Sequence, residues 1–337
     1  MSDPKPAAYD EELRTALAAV REAGLLCRAV QAELNPGVLQ KQDRSPVTVA
    51  DFGSQALICR ALAESFPADP VIGEEDAAAL RDPANAVVNA QVTNRVQTLR
   101  PGAEPGDIRA WIDRGSSRDF TARFWTLDPI DGTKGFLRGE QYAIALALIV
   151  DSRLELAALG CPNLGATLDE APHGPGAGTV LTAVRGHGAW AWPLTGDGDP
   201  VPVRVSELTD PAGLRFCESV EAAHSSHDDA ARIAVLLGVA APGVRVDSQV
   251  KYGVTARGEA DAYLRLPKSA AYAEKIWDHA AGALVVLEAG GRVSDIHGRD
   301  LDFSRGHELS GNRGVIVSNG RLHDAVLGAI RELGIGE

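Results

Sequence analysis

The segment Trp125-Thr126-Leu127-Asp128-Pro129-Ile130-Asp131-Gly132-Thr133 constrains this chain more than any other stretch. Apolar residues lead into Asp128, a proline-containing turn follows, and Gly132 opens onto Thr133-Lys134-Gly135-Phe136. The pattern predicts a short buried strand ending at Asp128, a tight turn, and a helix starting near Gly132. Asp128 and Asp131 lie three residues apart across that turn, so both carboxylates can point into one small volume. Two such charges about 4 Å apart repel by roughly 4 kcal/mol at an effective dielectric near 20. The arrangement holds if a hard cation sits between them, or if one acid stays protonated. Backbone N–H groups of Gly132 and Thr133 at a helix start favour a phosphate. Taken alone, the same residues also fit a turn capped by two aspartates.

At 337 residues the chain is long enough for one large domain or two smaller ones. A net charge of −13 with no basic stripe argues against nucleic acid as a partner. An acidic protein with an anionic substrate needs local compensation, which bound cations would supply. Cys27, Cys59, Cys161 and Cys217 are scattered without a CxxC pair, which suits buried thiols in a reducing compartment. No signal pattern precedes Asp10 and no apolar run approaches membrane-spanning length, so a soluble cytoplasmic protein away from the membrane is expected.

Tyr9 to Leu34 has helical periodicity and meets a stop at Asn35-Pro36-Gly37. A polar turn then leads into a second helix reaching about Phe66, with Asp51 in its first turn, where an acid suits the helix dipole. Val71 to Gly73 reads as a short strand running into Glu74-Glu75-Asp76. These acids fit a solvated loop, or Glu74 can reach inward while its neighbours face water. Residues 77 to 122 predict a helix or two and then a surface loop around Pro101 to Asp107. Tyr142 to Val150 and Leu154 to Cys161 predict a hairpin turning at Asp151-Ser152, and Gly178 to Val184 with Gly188 to Trp192 a second strand pair. From about Pro200 strands and helices alternate, which implies α/β layers. In this stretch Asp278 opens an apolar helix running to Ala289, where an acid is common for capping alone. His279 reads as packed or solvent-facing rather than as a ligand.

The run WTLDPIDGTKGFLRGEQYAIAL resembles the 3'(2'),5'-bisphosphate nucleotidase branch of the inositol monophosphatase superfamily. Gly73-Glu74-Glu75, Trp277-Asp278 and the run from Asp247 to Tyr252 match that family in order along nearly the whole chain. The resemblance implies an α/β (α+β) fold, the layered α/β/α/β/α sandwich of sugar phosphatases. Its two halves fall at residues 1–165, carrying most metal ligands, and 166–337, carrying Asp278 and the nucleotide contacts. It also implies one Mg²⁺ at Glu74, Asp128 and the carbonyl of Ile130, a second shared by Asp128, Asp131 and Asp278, and room for a third, weaker one near Glu74. Oxygen-only ligands suit Mg²⁺ and not zinc. Thr133, oriented by Asp51, takes the proton of the attacking water, and the Gly132 and Thr133 amides neutralise the transferring phosphoryl group. His224 lines the base pocket beside Ser225, while Ser248, Lys251 and Arg265 surround the non-transferred phosphate and ribose. The implied reaction converts adenosine 3',5'-bisphosphate to AMP and phosphate and is lithium-sensitive, with activity on the phosphosulfate form left open. A same-fold inositol polyphosphate 1-phosphatase or sugar bisphosphatase, and a non-catalytic nucleotide sensor, are the alternatives. An aspartyl-phosphate route would need DxDx[TV], and the spacing of Asp128 and Asp131 is wrong for it. The subunit state, monomer or homodimer, is left open.

Overall fold

The computed structural model describes residues 9–34, 45–170, 178–220, 227–267 and 272–336. Two sheets and three helical layers alternate. Outermost are α1 (Asp10–Ala32) and α2 (Ser45–Ser65), with the short α3 (Ala78–Arg81), α4 (Ala86–Leu99) and α5 (Pro105–Arg114) beside them. They cover a seven-stranded sheet in the order β1 (Val71–Gly73), β2 (Arg123–Asp131), β3 (Ala143–Val150), β4 (Arg153–Cys161), β5 (Thr179–Val184), β6 (Ala189–Pro193) and β7 (Val201–Val203). After β2 comes the one-turn helix α6 (Thr133–Leu137). The second sheet uses β8 (Phe216–Glu218), β9 (Val244–Arg245), β10 (Ala262–Arg265), β11 (Arg292–Ser294) and β12 (Val315–Ser318), ordered β11-β12-β10-β8-β9. Of the remaining helices, α8 (Val250–Ala256) and α9 (Ala280–Glu288) pack between the sheets, and α7 (His227–Leu236) and α10 (His323–Glu332) cover the outer face of the second. This is the five-layer α/β/α/β/α sandwich expected from the sequence.

Strand β3 shows why the layers form. Ile144, Leu146 and Leu148 turn toward α1 and α2, whereas Ala143, Ala145 and Ala147 turn toward α9. Period-two alternation gives each face its own core, and the alanines leave room for a helix on the inner side. The β3–β4 hairpin closes where expected, with Asp151 and Ser152 at φ 48° and 63°. Two consecutive left-handed residues suit the right-handed twist of the flanking strands.

Three expectations change. Strands β5 to β7 pair onto β4, so the first sheet continues past residue 165 to Val203. Pro105 to Asp107, expected as loop, opens α5: Pro105 occupies the first turn, and the side chains of Glu104 and Asp107 form a capping box. Strand β2 does not stop at Asp128; its pairing with β3 slips between Asp128 and Asp131 and resumes at Asp131. That irregularity turns both carboxylates toward the same end of the sheet.

Candidate active site

Where β2 ends, Gly132 at φ 88° turns the chain into α6. A Cβ on Gly132 would stand 2.7 Å from the Cβ of Ser248, so the turn abuts the start of α8 with no room for a side chain. Between these elements lies a cavity of about 410 Å³. Glu74, Asp128, Ile130, Asp131, Gly132 and Thr133 line it from the first sheet, and Ser248, Lys251, Arg265 and Asp278 from the second half. Four acids spread over more than 200 residues of sequence thus share one space of ligand-binding size.

Each acid is placed by its backbone. Glu74 follows β1, and its N–H donates to the Leu127 carbonyl at 3.2 Å, continuing the parallel ladder with β2. Ser54 Oγ on α2 donates to the Pro129 carbonyl at 3.0 Å and pins the Asp128–Asp131 turn from beneath. Asp131 Oδ2 accepts the Gln249 N–H at 2.6 Å. Asp278 does not open the apolar helix as expected. It ends a separate 3-10 turn, Ile276–Asp278, and His279 at φ −135° breaks the chain before α9 begins. The reason is His279, which is fully buried, with Nδ1 2.6 Å from Tyr252 Oη and Nε2 3.2 Å from Glu274 Oε2. Its inward anchoring leaves Asp278 on the cavity side.

The electrostatics are those of crowded acids with too few cations. Asp128 is 2% exposed and its Oδ1 has no hydrogen-bond partner. Burial, then the charges of Glu74, Asp131 and Asp278, hold its carboxyl well above the usual range. Asp278 is raised by burial and by Asp131, against the pull of Arg265. The protein packed around Glu74, with Glu75 and Asp131, pushes its pKa up to about 7. An orphaned carboxylate oxygen facing three further acids is a donor set for a hard divalent cation, and it contains no soft ligand.

No three of those four acids bring ligand atoms within 4.8 Å of one another; among the described residues only Glu274, Asp278 and His279 do. That trio is already engaged. Arg265 Nε lies 2.7 Å from Glu274 Oε2 and its Nη2 3.8 Å from Asp278 Oδ2. Burial works against ionising Glu274, yet its contacts with His279 and Arg265 bring its pKa down to about 2. Burial lowers the His279 pKa, and its hydrogen bond to Glu274 opposes that.

On the opposite wall Lys251 is buried, its Nζ 3.3 Å from the Val246 carbonyl and 5.0 Å from the Tyr263 ring centre. Burial lowers its pKa, and Asp131 opposes that. Thr133 lines the cavity, and Asp51 is buried, its carboxyl raised by burial and by Glu75 and Glu74. No hydrogen bond joins Asp51 to Thr133 among the described residues, so the direct pairing implied by the resemblance is not made here. His224 and Ser225 lie outside the described residues, as does the Asn35-Pro36-Gly37 stop. Sequence reasoning missed two glutamines that hold this site together, Gln55 and Gln249. Their partners are distant in sequence, so no local pattern marks them.

A family model described as the inositol monophosphatase family matches residues 8–334. The chain belongs to that family. Among its curated relatives, a 3'(2'),5'-bisphosphate nucleotidase of Emericella nidulans is 41% identical over 349 residues, covering 96% of this chain and 99% of the relative. One of the same description from Oryza sativa is 43% identical over 341 residues, covering 96% and 94%. The solved structure of an inositol monophosphatase from Zymomonas mobilis superposes with a TM-score of 0.62 at 20% identity, covering 96% of this chain and 99% of that one, a likeness of fold. No described helix is long and apolar enough to cross a membrane.

Proposed function

We propose that this enzyme is a Mg²⁺-dependent 3'(2'),5'-bisphosphate nucleotidase that hydrolyses adenosine 3',5'-bisphosphate to AMP and phosphate. The observation that carries the reading is the single cavity with Glu74, Asp128, Asp131 and Asp278 on one side and the buried ammonium of Lys251 on the other. Relatives of the same length that carry the nucleotidase name support it.

Glu74, Asp128 and the Ile130 carbonyl would hold one Mg²⁺, and Asp128, Asp131 and Asp278 a second, with the side chains drawing inward to do so. Bound there, Mg²⁺ supplies Lewis-acid charge for the phosphoryl oxygens and acidifies water. Thr133 orients the attacking water and takes its proton while its own hydroxyl proton passes toward Asp51. Asp51, whose raised carboxyl suits proton uptake, receives the proton that Thr133 gives up and so orients the threonine hydroxyl. Water oxygen bonds to phosphorus, the bond from phosphorus to the ribose 3'-oxygen breaks, and that oxygen leaves with a proton taken from a second water in the cavity. The Gly132 and Thr133 amides face the transferring oxygens. Ser248, Lys251 and Arg265, with His224 and Ser225, form the nucleotide end, and Lys251 neutralises the phosphate that stays. Arg265 divides its charge between that phosphate and its Glu274 and Asp278 partners.

A phosphate-release panel tests the substrate. Adenosine 3',5'-bisphosphate should be cleaved in preference to inositol 1,4-bisphosphate and AMP; the reverse order would assign the cavity to inositol phosphates.

A further inference from the structure

Asp131 and Asp278 belong to different halves of the molecule, and among the described residues no hydrogen bond joins them directly. Gln249 touches both sides. Its backbone N–H donates to Asp131 Oδ2 at 2.6 Å. Its side-chain Nε2 donates to the Trp277 carbonyl at 2.8 Å, one residue before Asp278, and its Oε1 accepts the Gly282 N–H of α9 at 3.0 Å. The side chain is 1% exposed and the amide is satisfied at both ends. A donor faces it at one end and an acceptor at the other, so the network fixes which way the amide points.

We propose that Gln249 is a positioning residue that locks the Asp278 turn in register with Asp131 and thereby sets how tightly a shared divalent cation is held. This rests on the reading that the cavity binds such a cation. Two local features show that the link is built into the backbone. Ser248, just before it, sits at φ +66°, a left-handed conformation uncommon for a residue with a side chain. Such a conformation persists where the surroundings over-determine it, and here it precedes the N–H that meets Asp131. On the far side, a Cβ on Gly282 would come within 2.4 Å of the Tyr252 ring, so α8 and α9 approach as closely as glycine permits. At that spacing one glutamine reaches both the 3-10 turn and α9. An asparagine, one methylene shorter, does not span the same gap. Tyr252 and Glu274 anchor His279 on the other flank of Asp278, but neither is bonded to Asp131.

The test is Mn²⁺ binding to the metal-stripped full-length protein, followed by electron paramagnetic resonance, for wild type, Gln249→Met, Gln249→Asn and Asp131→Asn. Outer-sphere partners of metal ligands typically contribute 10–100-fold in affinity. Both Gln249 variants should therefore bind Mn²⁺ about 10-fold or more weakly, and the Mg²⁺ midpoint of turnover should move by the same factor. Substrate KM at saturating Mg²⁺ should stay put. Gln249→Asn keeps the amide and adds no volume, so it decides the question if Gln249→Met does not fold. Wild-type Mn²⁺ affinity in either folded variant, with or without a lower melting temperature, would reduce Gln249 to a packing residue and overturn the proposal. If wild type itself binds no Mn²⁺, or Asp131→Asn binds it equally well, the cation reading fails and this role with it.

Discussion

The acids of the first sheet and the single acid of the second half reach the same cavity by different means. Glu74 directly follows β1, and Asp128 and Asp131 lie on its parallel neighbour β2, so backbone pairing fixes their spacing. Asp278 stands at the end of a one-turn 3-10 helix outside both sheets, whose start alone is backbone-paired, through the Ile276 N–H to the His307 carbonyl at 3.1 Å. Side chains hold its Asp278 end, through Gln249 on one flank and His279 on the other. A ligand on a strand end is positioned by backbone bonds that a single substitution hardly touches. A ligand on a turn depends on a few side chains, and each is a point of failure.

The largest loss should come from the acids themselves. Asp131→Asn removes a shared ligand and should cost more than the 10–100-fold typical of residues one shell further out; retained kcat/KM for the bisphosphate would remove Asp131 from the cluster. Next comes Lys251→Met. A charge-assisted bond contributes about 1.5–3 kcal/mol, so KM for adenosine 3',5'-bisphosphate should rise on the order of 10–100-fold while a monophosphate substrate changes little. Equal losses on both would sever Lys251 from the second phosphate.

A smaller effect separates the two clamps. Gln55 on α2 donates to the carbonyls of Glu75 at 2.6 Å and Ile112 at 2.8 Å, beside the Glu74 strand end. Because β1 is also held by its ladder, Gln55→Met should shift the Mg²⁺ midpoint less than Gln249→Met does. The opposite order would mean that the sheet contributes less to Glu74 than its geometry implies.

The smallest expected effect concerns pH. Glu74 has a folded-state pKa raised to about 7, and Asp128 and Asp278 are also raised. Acids with raised folded-state pKa bind more protons folded than unfolded, so stability is lost as pH rises from the ordinary carboxylate range through the folded value. The metal-free protein should therefore melt at lower temperature at pH 7.5 than at pH 5, with the difference reduced by saturating Mg²⁺. A melting temperature that rises over that window in the metal-free protein would show that the acids are not crowded.

Much of this contrast was legible in the sequence. The apolar runs of β3 and β4, the Asp151-Ser152 hairpin and the helix start at Gly132 carry local signals, and each formed at the expected place. The start of α9 did not, because an apolar run with a leading acid looks the same whether that acid caps the helix or sits on a separate turn. What decides is His279, whose partner Tyr252 lies 27 residues earlier. Helix α5 carried its signal in Glu104, Pro105 and Asp107, but surrounding proline and glycine suggested a loop. Gln249 lies inside the matching run from Asp247 to Tyr252, but nothing there marked it as a clamp, since an amide bonded to residues 28 and 33 positions away has no periodicity to betray it. The acids of the site were thus readable as residues, while the clamps were readable only as geometry.

The most direct test is phosphate release from adenosine 3',5'-bisphosphate by chelator-stripped protein, before and after Mg²⁺ is restored. The stripped sample should show no turnover and Mg²⁺ should restore it in full, with no recovery in Asp128→Asn. Undiminished hydrolysis without any divalent cation would contradict the Mg²⁺ requirement.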